Sequence, residues 1–220
     1  MKDKKRRLTF KEYWARQFGN PTGFGGKIAT FLMNRMNIAM YKTVEKYAPK
    51  SGNILDIGFG NGALLRRLIK KSDATFDGID ISETSLALAT KRNCKAIQNE
   101  KLALFFGDVS RIQTRLQSFD FIYTVNTVYF WRDLPVALVE IKDKLKPGGV
   151  FLNVFYSKKW YANKGGFVKH GFTLYDPEEL QKEIQNSGMT CEIITIKKDK
   201  SYAIRAVRTD HISKKNGRLE

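Results

Sequence analysis

The chain has 220 residues, 42% hydrophobic and 28% charged, with 39 basic against 22 acidic side chains for a net charge of +17. That is enough for one domain with a sizeable core, and no stretch reaches the roughly 18 apolar residues of a membrane span. The basic start Met1–Arg7 is not followed by the apolar core of a secretion signal, and two cysteines and two histidines without close spacing exclude a zinc finger or Cys/His metal centre, so a cytoplasmic protein with no metal is expected.

In chain order, Thr9 is placed to cap a short helix through Glu12, Tyr13, Trp14 and Phe18, broken by Gly19–Gly23. Ile28, Phe31, Leu32, Met36, Ala39, Met40, Val44 and Tyr47 then recur at three- and four-residue steps, one face of a long amphipathic helix. Residues 1–50 therefore read as an N-terminal helical cap or lid. After Gly52 the period changes. Strands are expected at 53–57, 75–80, 102–106, 119–125 and 150–156, alternating with helices at 62–71, 82–93 and 134–145. Asp176-Pro177 opens a further helix to Ser187, and Met189–Ile196 and Tyr202–Val207 flank a polar turn as a hairpin. Alternation of this kind gives an α/β fold: a Rossmann-like, doubly wound, seven-stranded sheet, mostly parallel with an antiparallel edge strand. The domain is expected over 51–210, and 211–220 form a polar tail.

The chemistry concentrates where strands end. Ile54-Leu-Asp-Ile-Gly-Phe-Gly-Asn-Gly-Ala63 puts a glycine-rich turn after the first strand. Gly58, Gly60 and Ala63 also satisfy the dinucleotide fingerprint, so the glycines alone leave the ligand open. Asp56 stands at the mouth of the turn, and no Lys or Arg occurs between Asn53 and Leu65. A pyrophosphate would meet an anion there; a ligand carrying an ammonium group would meet a favourable charge. Asp80 ends the second strand, where a carboxylate accepts from ribose hydroxyls; the alternative is a helix-capping role in Asp80-Ile-Ser82. Phe106-Gly-Asp-Val109 follows the third strand, with Asp108 suited to accept from an exocyclic amine, the Val109 amide to donate to a purine ring, and Ile81 to pack on its face.

From about Asn53 to Val207 the sequence resembles a class I methyltransferase that uses S-adenosylmethionine (SAM), whose amino-acid tail supplies such an ammonium. The resemblance implies that Asp56, Gly58, Phe59, Gly60, Asn61 and Gly62 form the first cofactor motif, Asp80 and Ile81 the ribose and adenine contacts, Gly107, Asp108 and Val109 the adenine end, and the fourth-strand motif Phe119-Asp-Phe-Ile-Tyr123 with Val125 and Asn126 the flank of the methionine part. It implies SAM as cofactor and S-adenosylhomocysteine as product. Leu145-Lys-Pro-Gly-Gly-Val-Phe-Leu152 fits the fifth-strand motif, and its spacing is similar to the subgroup that includes ubiquinone and menaquinone biosynthesis enzymes. Thr127-Val-Tyr-Phe-Trp131 stands where that subgroup often has a histidine-rich stretch, and the Asn/Asp-Pro-Pro-Tyr/Phe motif of amino-methylating nucleic-acid enzymes is absent from the sequence.

The acceptor side is less legible. Tyr13, Trp14, Phe18, Tyr129, Trp131 and Trp160 are candidates for an aromatic pocket suited to a planar or apolar small molecule, and the same rings would equally pack a lid on the core. His170 or Tyr129 is the candidate for deprotonating the acceptor. Residues 1–50 carry net +9, with Lys2, Lys4, Lys5, Arg6, Arg7, Lys11 and Arg16 among aromatics. Such a surface attracts anions: an acidic small molecule, or RNA. The expected partner is a small-molecule acceptor; an RNA methyltransferase and a non-catalytic SAM-binding protein are the rival readings.

Overall fold

The computed structural model describes residues 37–162 and 173–209. Within them run α1 (Ile38–Tyr47), β1 (Asn53–Ile57), α2 (Ala63–Ile69), β2 (Thr75–Asp80), α3 (Glu83–Arg92), α4 (Cys94–Gln98), β3 (Leu102–Phe106), β4 (Phe119–Val125), α5 (Leu134–Lys144), β5 (Leu145–Tyr156), α6 (Lys158–Ala162), α7 (Pro177–Asn186), β6 (Met189–Lys197) and β7 (Ser201–Arg208), with a 3-10 turn at Val128–Phe130. The strands form one seven-stranded sheet in the order β3-β2-β1-β4-β5-β7-β6.

β1 pairs in parallel with β2 and β4, β2 with β3, and β4 with β5. β7 runs antiparallel to both β5 and β6, so the hairpin forms one margin of the sheet and its reversed strand lies just inside β6. The central strands are buried along almost their whole length because helices cover both faces. On one face Leu55, Ile57, Ile122, Phe151 and Phe155 meet Leu134, Leu138 and Ile141 of α5 and Leu180 and Ile184 of α7. On the other, Ile54, Phe76, Phe121, Tyr123 and Leu152 meet Met40 and Val44 of α1, Leu64, Leu65 and Leu68 of α2, and Ala89 of α3. Alternate residues of each strand thus enter opposite cores, and a one-residue slip would exchange them.

Local signals behave as their chemistry requires. Ser82 caps α3 through Ser85 N–H at 3.2 Å, Asp133 caps α5 through Val136 N–H at 3.0 Å, and Asp176 opens α7 with a capping box to Glu179. Two boundaries differ from expectation. The fifth strand begins at Leu145, running through Pro147-Gly-Gly149 with a register shift opposite Phe119–Phe121, so these glycines shape the strand's entry instead of only ending a helix. A separate short α4 also follows α3. Of the expected long N-terminal helix the described part is α1, where Met40 and Val44 point inward as the periodicity requires.

Between β1 and β4 the chain's progression across the sheet reverses. At such a switch point the loops leaving the carboxyl ends diverge to opposite faces and open a crevice for a ligand.

Candidate active site

The turn after β1 takes Gly58, Gly60 and Gly62 through left-handed backbone angles, φ +75°, +54° and +70°. A Cβ on Gly58 would lie 2.3 Å from Thr127 Cγ2, and one on Gly62 would lie 2.5 Å from Asn93 Nδ2. Those two glycines let the turn pack against the β4 loop and α3. A Cβ on Gly60 would meet nothing within 4 Å among the described residues, which leaves its backbone approachable. Phe59 is buried over Gly78, which leaves only its backbone for a ligand. Asn61 Oδ1 accepts from Ala63 N–H at 3.0 Å.

Arg92, at the end of α3, donates from Nη1 to the Asn61 carbonyl at 2.7 Å and also to the Asn61 side-chain oxygen. The segment around the turn has no cation of its own, yet the fold brings one from 31 residues away. The expectation of a rim without a basic side chain is corrected on this point. Arg92 grips the outer side of the turn through Asn61, while the acids line the strand ends.

Asp56 is 3% exposed and receives the Tyr123 hydroxyl on Oδ2 at 2.7 Å. The two residues are direct partners across β1 and β4. Burial, reinforced by the neighbouring Asp80 charge and opposed by the Tyr123 hydrogen bond, pushes the Asp56 carboxyl up to about 8. No Lys or Arg forms an ion pair with it among the described residues. Asp80 Oδ2 accepts from Gly60 N–H at 2.8 Å and Oδ1 from Ser82 N–H at 2.9 Å. The cap-like contact and the turn contact therefore coexist on one carboxylate, and each oxygen keeps a further lone pair. Burial raises the Asp80 pKa as well.

Gly107 donates to the Asp80 carbonyl at 3.0 Å, which sets the β3 end beside the β2 end. Asp108 is partly buried and accepts from Ser110 N–H at 2.8 Å. Val109 sends its side chain into the core, and Ile81 is 58% exposed at the end of β2. Val125 closes β4, and Asn126 follows in a left-handed conformation with φ +59°.

Asn126 Nδ2 donates to Asn37 Oδ1 at 3.1 Å, and the Tyr156 hydroxyl donates to the same oxygen at 3.1 Å. Asn37, 8% exposed just before α1, thus joins the ends of β4 and β5. Trp160 stacks on Tyr156 with centroids 4.3 Å apart, Tyr161 meets Trp160 edge-on at 5.0 Å, and Lys200 Nζ lies 5.4 Å from the Trp160 ring.

Two acceptor-side expectations are corrected. Tyr129 is 4% exposed; its hydroxyl donates to the Tyr156 carbonyl at 2.9 Å and receives Tyr156 N–H at 2.5 Å. Burial holds its phenol well above the ordinary value, so it secures the end of β5 and is unsuited to act as a base. Trp131 is 8% exposed and belongs to the core with Ile112 and Leu134, not to a substrate pocket. Tyr13, Trp14, Phe18 and His170 lie outside the described residues. Arg92 and Asn37 join the site with no motif to flag them. Tyr123 lies in the fourth-strand motif, but that its hydroxyl meets Asp56 follows only from the pairing of β4 with β1.

A SAM molecule suits this donor set. Asp56 is a buried acid with no cation beside it among the described residues, a deficit that an ammonium group remedies; Gly60 leaves the backbone approachable; Asp80 retains acceptor capacity. Comparisons with known proteins agree. The family described as "Methyltransferase domain" matches residues 54–149. The uncharacterized methyltransferase YdaC of Bacillus subtilis is 30% identical over 125 residues, covering 56% of this chain and 67% of that protein. The sterol 24-C-methyltransferase of Aspergillus fumigatus is 32% identical over 98 residues, 44% of this chain but only 26% of the sterol enzyme. Among solved structures, one from the complex between the Haloferax volcanii Trm112 methyltransferase activator and its methyltransferase partner superposes with a TM-score of 0.71 at 18% identity, over 93% of this chain and 100% of that one, a likeness of fold. The strand-end acids, the glycine turn and these relatives lead to one conclusion: the chain belongs to the class I SAM-dependent methyltransferases.

Proposed function

We propose that this methyltransferase acts on a small molecule with a planar or apolar acceptor region. The observation that carries the reading is the aromatic group at the ends of β4 and β5, where Tyr156 stacks on Trp160 and Tyr161 closes edge-on, with Asn37 and Asn126 as polar fixtures beside it. Aromatic walls with a few fixed hydrogen-bonding groups suit a flat or greasy ligand. A sterol, the substrate class of the similar Aspergillus enzyme, is of that kind, although that enzyme shares only about a quarter of its length with this chain.

SAM supplies an electrophilic methyl group, and the chain's own residues then have three tasks. Asp56 and Asp80 hold the donor's charged and hydroxyl-bearing parts. The glycine turn lets the backbone come close. The aromatic group excludes water and orients the acceptor, which is where most of the rate advantage of such a transfer arises. His170 is the remaining candidate for a base, needed only if the acceptor must lose a proton.

The test is label transfer. The full chain is incubated with methyl-tritiated SAM and with separate small-molecule and RNA extracts, and products are resolved by chromatography. Label in a small-molecule fraction is expected. Label in RNA, lost steeply as salt rises, would instead assign the basic segment of residues 1–50 to nucleic-acid binding. SAM affinity without label in any fraction would make the protein a binding module.

A further inference from the structure

Tyr123 is fully buried in β4, and its strand partner is Asp56. A phenol in that position is unusual chemistry for a core: its ring packs with Phe121 and Leu152, while its hydroxyl finds a single strong acceptor in Asp56 Oδ2 at 2.7 Å. The other oxygen, Oδ1, accepts no hydrogen bond among the described residues, and Asp56 keeps its small exposure at the mouth of the glycine turn. Among the described residues, the charged and titratable groups that face this carboxylate are Asp80 from the end of β2, Tyr41 from α1 and Tyr123 itself. None of them is a cation.

We propose that Tyr123 is a positioning residue of the cofactor site: its hydroxyl fixes Asp56 through Oδ2 and leaves Oδ1 as the acceptor for the ammonium of the cofactor's amino-acid tail. Tyr123 then governs recognition of the tail and not of the nucleoside, because Asp80 and the Asp108 turn belong to strand ends on the far side of β1. The inference concerns the donor half alone and stands or falls independently of which acceptor is methylated. The phenol also acts on charge. Its hydrogen bond lowers the Asp56 pKa against the effect of burial, so it favours the ionised form that an ammonium requires.

Calorimetry on the full chain separates tail from nucleoside. The probes are S-adenosylhomocysteine, which has the amino-acid tail, and 5′-methylthioadenosine, which lacks it. Tyr123→Phe is expected to weaken S-adenosylhomocysteine about tenfold, the scale of a lost hydrogen bond to a charged group, and to leave methylthioadenosine within about twofold. Equal weakening of both probes, or of neither, overturns the proposal. In an Asp56→Asn background Tyr123→Phe should cost no further affinity; a second tenfold loss there also overturns it. A pH series supplies a readout that a merely structural role would not move. In Tyr123→Phe the limb on which S-adenosylhomocysteine affinity rises with pH should shift to higher pH, and an unmoved limb counts against the proposal.

Discussion

The ends of β1–β3 and the ends of β4–β5 form adjacent parts of one crevice, yet they are built differently. The first region, the proposed donor side, is built on acids at strand ends, glycines in the turn between β1 and α2, and backbone amides held by the next strand. The second, the proposed acceptor side, is built on long-range contacts, with Asn37 meeting Tyr156 from 119 residues away and Asn126 from 89. A donor common to many reactions needs the same charges in the same places, and a short motif can encode them. An acceptor is held by shape, and shape is assembled from distant parts of the chain.

Substitutions should respect that division, and the largest effect is expected in the turn. Gly58→Ala forces a Cβ to within 2.3 Å of Thr127 at a left-handed φ, so it should cost about 3 kcal/mol of stability and most SAM binding. Thermal unfolding and calorimetry would read both losses; a variant that folds and binds normally would break the contrast at its strongest point. Next, Asp80→Ala removes the acceptor of the Gly60 and Ser82 amides and should weaken SAM by about 1–3 kcal/mol, measured by calorimetry, while the acceptor KM stays within about twofold.

On the acceptor side, Tyr129→Phe removes the hydroxyl that bonds both the Tyr156 amide and carbonyl and should cost about 1–2 kcal/mol in denaturant unfolding. Its pH–rate profile should keep the wild-type shape, and loss of the limb on which rate rises with pH would restore Tyr129 as a base. Trp160→Ala should raise the acceptor KM about three- to tenfold, as expected for a lost aromatic stack, with S-adenosylhomocysteine affinity unchanged.

The remaining effect concerns pH. The folded-state pKa of Asp56 is raised, so the native chain binds a proton there that the unfolded chain releases near pH ~4. The associated stability is present at acidic pH and is lost as pH climbs towards about 8. Without ligand, the melting temperature of the wild type should therefore fall more between pH 5 and 8 than that of Asp56→Asn; parallel curves would show that Asp56 is already ionised in the free protein.

Much of the donor half could be read along the chain. Asp56, Asp80 and Asp108 sit at the ends of three strands whose apolar runs identify them, and the turn glycines are contiguous. The Ser82 and Asp176 caps were equally legible, because capping is a contact between residues three apart. Arg92 was not. Its helix reads as an ordinary amphipathic segment, and only the packing of α2 against α3 brings its guanidinium to Asn61. Tyr129 and Trp131 show the opposite error. An aromatic residue just after a strand looks like pocket lining, but the 3-10 turn folds both inward, one onto the β5 backbone and one into the core.

The sequence by itself determined which strands form, which residues enter the two cores, and that an acid and a glycine turn meet at the first strand end, because those properties follow from period, polarity and backbone freedom within a few residues. Only the tertiary structure decided that Tyr123 would hold Asp56, that Asn37 would join β4 to β5, and that Tyr129 would be a strut. Strand order and register set those meetings, and they bring together groups that no local pattern relates.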